Sequence, residues 1–478
     1  MEKDELRGST SPKEEMPNPG PSTEVSSDVE TTPGASTPAE QLAPVGSLNR
    51  QKTPETGQVA IADERIDEEA TDGTVEHWMV VIGGFCGMFA SFGWRAGSGF
   101  FQGYYQQNQL RDYSSSTIAW INSVGFFLMY FGACIVGPIT QRIGPQPLLL
   151  IGSAMHVAGL LGASWCTKFY QFFITQGVIS SLGASAVFFI SVQTIGRWFE
   201  RQQGLAMGIA ASGVSVGGIV FPLMIQRLIP KIGFGWTMRS VVLVLLVLTV
   251  TSNVALRSPP EAVTRRRRIR MAMPQDETRQ AGLRDRRLLM TIVGTTLFAN
   301  GYFVVLTFLT TVAHMRGSLP VNVLSRRRKL TNDSFFGRII PGLIADRVGS
   351  FNTMCVLGTL STVFVLGLWL PDSGFAGSVV FSVTFGFTSA STVSLGPAML
   401  FQMSELRSIT RNLAVLYLVQ SFAGLTSSPI GGALLDVGHD KGALYLQLFC
   451  GLMTGVGTLM ILLARHWLTQ GMMLWAKI

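Results

Sequence analysis

Arg338 stands in Ser334-Phe-Phe-Gly-Arg-Ile-Ile-Pro-Gly342, a stretch otherwise made of apolar and small residues. A cation at membrane depth costs at least a few kcal/mol unless water or a partner meets it. Its planar fork fits a carboxylate through two parallel hydrogen bonds. Two readings stay open from the residues alone: Arg338 holds an anionic ligand, or it sits near a helix end and pairs with Asp346 or with lipid headgroups. Asp333, five residues earlier, is the candidate for moving a proton, since burial favours the protonated form of a carboxylate; pairing with Arg338 is its other reading. Asn300, Tyr302, Gln193 and Gln420 are polar groups placed to line a central cavity, with hydrogen bonding between helices as the plain alternative for each. Arg95 closes the first apolar segment and reads either as a ligand or as an arginine snorkelling to the headgroups. His156, alone in an apolar segment, reads as a satisfied structural residue. This is the chemistry of binding a small molecule, not of making bonds. No nucleophile–base pair, cluster of metal ligands or nucleotide-binding signature stands out, so we expect no enzyme, no cofactor and no metal.

Those side chains need elements that hold them inside a bilayer. From Trp78 to Ala464 the chain reads as about a dozen apolar stretches separated by short polar loops, and about 20 apolar residues in a helix match the hydrocarbon core. Lipid offers no hydrogen bonds to the backbone, so each stretch is helical. The expected fold is an all-α polytopic membrane protein of about 12 transmembrane helices in two six-helix bundles. The first six stretches are Trp78 to Gly93, Ile118 to Ile139, Leu148 to Trp165, Phe169 to Ile195, Gly204 to Met224 and Thr237 to Leu256. The second six are Leu288 to Val312, a short stretch near Leu330 to Ala345, Thr353 to Leu370, Gly374 to Phe401, Asn412 to Leu435 and Ala443 to Ala464.

Composition agrees, with hydrophobic residues at 47% against charged residues at 14%, the reverse of a chain that must cover itself with polar surface. The net charge of +8 conceals a division: Met1 to Glu76 carries 17 of the 29 acidic side chains but 6 of the 37 basic ones. The basic remainder does not imply nucleic-acid binding, because its arginines collect in loops, ten of them between Arg257 and Arg287. Placing that loop, Arg142, Arg197, Arg347 and Arg407 on one side satisfies the positive-inside rule and puts both termini in the cytoplasm. The predicted organisation is a disordered acidic cytoplasmic tail over 1–76, a first bundle over 77–257, a basic cytoplasmic loop over 258–287, a second bundle over 288–464 and a short cytoplasmic tail over 465–478. The expected location is the plasma membrane, as a monomer whose partners are the lipid bilayer and a small-molecule substrate. No basic region followed by an apolar core opens the chain, so the first helix is expected to direct insertion. Cys86, Cys134, Cys166, Cys355 and Cys450 fall in or beside apolar segments without close pairing, which argues against structural disulfides.

The two sets of six echo each other. Gly137-Pro-Ile-Thr-Gln-Arg-Ile-Gly144, with Arg142, follows the second stretch; Gly342-Leu-Ile-Ala-Asp-Arg-Val-Gly349, with Asp346 and Arg347, follows the eighth. Gly204-Leu-Ala-Met through Pro222 is similarly matched by Asn412-Leu-Ala-Val through Pro429. A parallel repeat of this kind suits two halves that rock around a shared binding site.

These loops resemble those of the major facilitator superfamily, whose second-to-third loop carries glycines around an acidic–basic pair. Asp346-Arg347 keeps the pair, whereas Gln141 replaces the acid in the first half, so the resemblance implies a latch that is fuller in the second half. Within the superfamily the chain is similar to the monocarboxylate porter family, particularly its fungal branch, through Asp72-Gly73, Gly99-Phe-Phe-Gln-Gly-Tyr-Tyr105, Arg197-Trp-Phe-Glu-Arg-Gln-Gln-Gly-Leu-Ala-Met-Gly208 and Ser334 through Gly342. The resemblance implies that Arg338 holds a substrate carboxylate. It further implies proton-coupled secondary transport of a small organic anion or related metabolite. Efflux of a secondary metabolite is the leading expectation, and uptake of a monocarboxylate or a vitamin such as riboflavin is the alternative. A membrane sensor that does not transport is a further class, for which no large folded cytoplasmic domain is present.

One segment contradicts the pattern. Gly317 to Asp333 includes Pro320 and the run Arg326-Arg-Arg-Lys329, and Leu330 to Ala345 alone provides only about 24 Å of helix at 1.5 Å per residue. Either the cations sit at the outer headgroups above a short helix, or a misread splice boundary altered this segment.

Overall fold

The computed structural model describes residues 73–97, 99–258, 285–315, 320–371, 374–404, 408–437 and 441–468, with 320–333 described by backbone alone. Most of the acidic tail and the basic central loop therefore lie outside the described residues. Four helices open the described chain: α1 (Val75–Gly97), α2 (Thr117–Ile143), α3 (Pro145–Ala163) and α4 (Phe169–Trp198). A short helix, Gly99–Gln107, stands between the first two.

The next helical stretch, Gln203–Ala255, has 53 residues, roughly 80 Å at 1.5 Å per residue and far beyond one bilayer core. It turns back at Gly233, whose φ of 75° and ψ of 170° leave the helical region; only glycine adopts such a φ without strain. Neighbours prove the reversal, since Gly84 faces Ala210 from the start of the stretch and Gly87 faces Ser252 from its end. The stretch is thus α5 (203–232) and α6 (234–255). The second set comprises α7 (Arg286–Met315), α8 (Pro320–Val348), α9 (Ser350–Trp369), α10 (Gly374–Met403), α11 (Ile409–Val437) and α12 (Gly442–Leu468). The described residues hold no strand, and the twelve helices form two six-helix bundles.

The eighth stretch is part of a longer helix than its apolar residues alone suggest. Helix α8 has 29 residues, with Pro320 in its first turn, where a missing N–H costs no hydrogen bond. The cationic run lies within the helix, and the stretch beyond it as far as Ala345, before the latch residues Asp346 and Arg347, spans about 24 Å, short of a bilayer core of about 30 Å.

Packing inverts the pattern of a water-soluble protein. Leu150, Leu243 and Leu452 are 64%, 63% and 61% exposed on the outside of the bundles, while Arg95, Gln193 and Arg338 are buried. With lipid as apolar as leucine, burying an aliphatic chain gains little, so interfaces rely on close approach and interhelical hydrogen bonds. The crossing of α5 and α8 shows this: a Cβ on Gly204 would lie 2.8 Å from Asp346 Oδ1, so a larger residue would force the bundles apart. Helices α2 and α11 form the matching contact on the other flank. All five cysteines are free.

Candidate functional site

At the seam between the bundles lies a narrow, nearly closed cavity of about 20 Å³. The first bundle contributes Tyr130 from α2 and Phe188 from α4; the second contributes Tyr302 and Phe303 from α7, Thr392 and Pro397 from α10, and Tyr417 and Gln420 from α11. Helical spacing explains the clustering. Phe126 and Tyr130 are four apart on α2, and Tyr417 and Gln420 are three apart on α11, so each pair shares a face. The rings join across the seam. Tyr130 stacks on Tyr417 with centroids 5.7 Å apart and planes at 29°, and Phe126 meets Phe303 at 6.0 Å.

Polar atoms in this apolar seam are incompletely satisfied. Tyr417 Oη and Thr392 Oγ1 are buried without a hydrogen-bond partner among the described residues, a condition that costs about 1–3 kcal/mol each. Behind them Arg338, 3% exposed, donates to Ser215 Oγ of α5 and to the Tyr302 hydroxyl. Its Nε has no partner among the described residues. Arg338 therefore bridges α8 to the other bundle and abuts a cavity-lining phenol. The alternative pairing with Asp346 does not occur between their described side chains, because both Asp346 oxygens are directed to α5 as described below.

The other candidates divide. Tyr302 and Gln420 line the cavity. Asn300 lies beside it, its Nδ2 donating to Ala423 O at 3.4 Å and Thr426 Oγ1 at 3.3 Å, so it ties α7 to α11. Gln193 is corrected: it does not line the cavity but donates from Nε2 to Thr410 Oγ1 at 2.6 Å, at the far end of α4. Arg95 is corrected too. It neither snorkels nor reaches the cavity; at 1% exposure it donates to Ser181 Oγ and, at 3.3 Å, to Gln176 O of α4, and stacks on Phe126. Helices α1 and α4 each contain a π-helical turn, Phe89–Gly93 and Phe173–Ile179, and such turns release carbonyls from the regular ladder. His156 meets one carbonyl in the first turn and one just after the second, Nε2 lying 3.1 Å from Ala90 O and Nδ1 2.9 Å from Ser180 O. The side chain of Asp333 lies outside the described residues.

The repeated loops form two unequal latches. Gly144 and Gly349 turn the chain with φ of 86° and 104°, and Arg142 and Arg347 stay exposed. At the second-half loop, Asp346 Oδ1 accepts from Gly204 N at 2.6 Å and Oδ2 from Leu205 N at 2.8 Å. A carboxylate thus caps the free amides of α5 where the helix dipole favours negative charge, and Gly342 allows the approach by packing on Gly204. At the first-half loop, Gly137 packs on Ala414, but Gln141 is exposed. Thr410 Oγ1 instead accepts from Gln193 and, at 2.9 Å, from Arg197 Nη2.

Sequence reasoning missed Tyr130, Phe188, Thr392, Tyr417 and Ser215. An aromatic or hydroxyl residue in an apolar helix has no polar signature to mark it as cavity-lining. The detectable signal was Tyr417 one turn before Gln420, which joins a phenol to an amide on one helix face.

The sequence profile of the Major Facilitator Superfamily matches residues 81–324. An MFS-type transporter of Gibberella moniliformis is 39% identical over 417 residues, covering 86% of this chain and 95% of its own length. The fujikurins efflux protein of Gibberella fujikuroi is 34% identical, covering 86% and 87% respectively. The agnestins efflux protein of Paecilomyces divaricatus is 32% identical, covering 84% and 90%. Among solved structures, the E. coli fucose:proton symporter superposes with a TM-score of 0.60 at 12% identity over 80% of this chain and 98% of its own. A proton:xylose symporter gives 0.64 at 13% identity over 83% and 97%, identities at which the likeness concerns the fold. By profile, by relatives along nearly the whole chain and by fold, this chain belongs to the major facilitator superfamily.

Proposed function

We propose that the chain is a secondary transporter that exports a fungal secondary metabolite by alternating access, with substrate bound in the cavity between the bundles. The observation that carries this reading is the seam itself: Tyr130 and Tyr417 meet across it, hydroxyls of Thr392 and Tyr417 are left without partners among the described residues, and Arg338 reaches from one bundle to Ser215 of the other. When the bundles part on one side, these groups separate and a molecule held by both is released. Relatives named as efflux proteins for fujikurins and agnestins support export over uptake. The monocarboxylate porter subfamily, Arg338 as the anion-holding residue and Asp333 as the proton carrier complete the proposal, with a proton gradient as the driving force.

We assign the arginine-rich loops, the latches and both termini to the cytoplasmic side of the plasma membrane, with the monomer as the working unit. Two experiments test these assignments. Comparing medium and cell extracts from the source strain with and without this gene should show a metabolite retained inside when the gene is absent; unchanged partitioning of every metabolite would refute export. Protease protection in sealed vesicles should find the amino-terminal tail and the 265–270 loop on the same side, and recovering them from opposite sides would overturn the topology.

A further inference from the structure

The walls of the cavity specify a substrate class. Five of its eleven lining residues are aromatic, Tyr130, Phe188, Tyr302, Phe303 and Tyr417, in a chain that is 10% aromatic. Aliphatic side chains would enclose an aliphatic acid equally well and are abundant in these helices. Rings offer a distinct advantage toward another ring, because offset and edge-on contacts add attraction beyond the area buried. The charge of the interior is one-sided as well. The buried charged side chains among the described residues are Arg95, Arg338 and Arg465, with no buried carboxylate. Among the described residues a cationic substrate would find no counter-charge there. An oxygen that accepts hydrogen bonds or carries negative charge would find the Tyr417 and Thr392 hydroxyls, both buried without partners among the described residues, and the Tyr302–Arg338 pair.

We propose that the substrate is a planar, fused-ring aromatic molecule bearing a phenolate, carboxylate or enolised carbonyl oxygen, lying against the Tyr130–Tyr417 stack with that oxygen toward Tyr417, Thr392 and Arg338. The proposal rests on the transport reading, since it names what that cavity carries. It also explains why the contact pair is split between bundles. A ring resting on both tyrosines stabilises the closed seam and loses half its stacking surface when the bundles part, so the rocking motion itself weakens the grip.

The test uses the full chain in nanodiscs and equilibrium binding of three probes: 1-naphthoate, its saturated decahydro analogue with the same charge, and 1-naphthylmethylammonium with the same rings but positive charge. Naphthoate should bind about tenfold more tightly than the saturated acid, as two or three added ring contacts imply, and the cation should bind more weakly still. Tyr417→Leu and Tyr130→Leu should erase the preference for the aromatic acid, whereas Tyr417→Phe should keep it and weaken both acids about fivefold by removing the donor. Equal binding of the two acids, or cation binding as tight as naphthoate binding, would overturn the proposal, as would no binding of naphthoate. If the leucine variants do not fold, the three probes on the unaltered chain still decide. Counterflow in proteoliposomes separates the two readings: equal movement of both acids sinks the aromatic class and leaves transport standing, while naphthoate bound but never moved supports the class and sinks transport.

Discussion

Arg95 and Arg338 are both buried inside transmembrane helices, at 1% and 3% exposure, yet they differ in what they connect. Arg95 donates to α4 within its own bundle. Arg338 donates to Ser215 of the opposite bundle and to a phenol that lines the cavity. A buried charge is costly wherever it lies, so its partners point to what it serves: in the proposed rocking cycle the contacts of Arg95 would persist, whereas those of Arg338 would be broken and remade. The first fastens one bundle internally, and the second spans the seam between the two.

Substitution should separate the two roles. The largest expected effect is on stability: Arg95→Ala removes the hydrogen bonds to Gln176 and Ser181 and leaves a void against Phe126, at about 2–4 kcal/mol. Thermal unfolding in detergent should fall sharply while transport per folded molecule stays near that of the parent chain. Arg338→Lys should do the reverse, reducing transport at least about tenfold through loss of the planar fork with membrane levels maintained. If the lysine variant transports normally, Arg338 is returned to a structural role and the comparison collapses.

The latches sharpen the comparison from the other end of the bundles. Asp346→Asn removes the charge that caps α5 and should weaken closure there by about 0.5–2 kcal/mol, seen as a larger population of separated α5 and α8 ends in spin-label distance measurements. Gln141→Asp would supply the acid absent from the first-half loop and should favour closure by a smaller amount, about 0.3–1 kcal/mol. Equal responses at both loops would show that the asymmetry between a carboxylate cap and the Thr410 hub has no energetic meaning.

The eighth helix shows how local reading can mislead. Its cations and Pro320 argue for a helix that begins near Leu330, yet the helix runs from Pro320 to Val348. Backbone continuity through a polar run is decided by where the chain must cross, which a window of composition does not contain.

Twelve helices and the paired loops were legible in the sequence, because lipid imposes length and internal hydrogen bonding on each segment separately. Which polar residues share a cavity was not. Gln193 and Gln420 look alike in their apolar helices, yet one fastens a latch to Thr410 and the other lines the seam. Arg95 read as a headgroup residue until two π-helical turns and His156 placed it in an interior network. Periodicity names the face a residue occupies, but only the assembled bundles determine whether that face meets lipid, its own bundle or the opposite one.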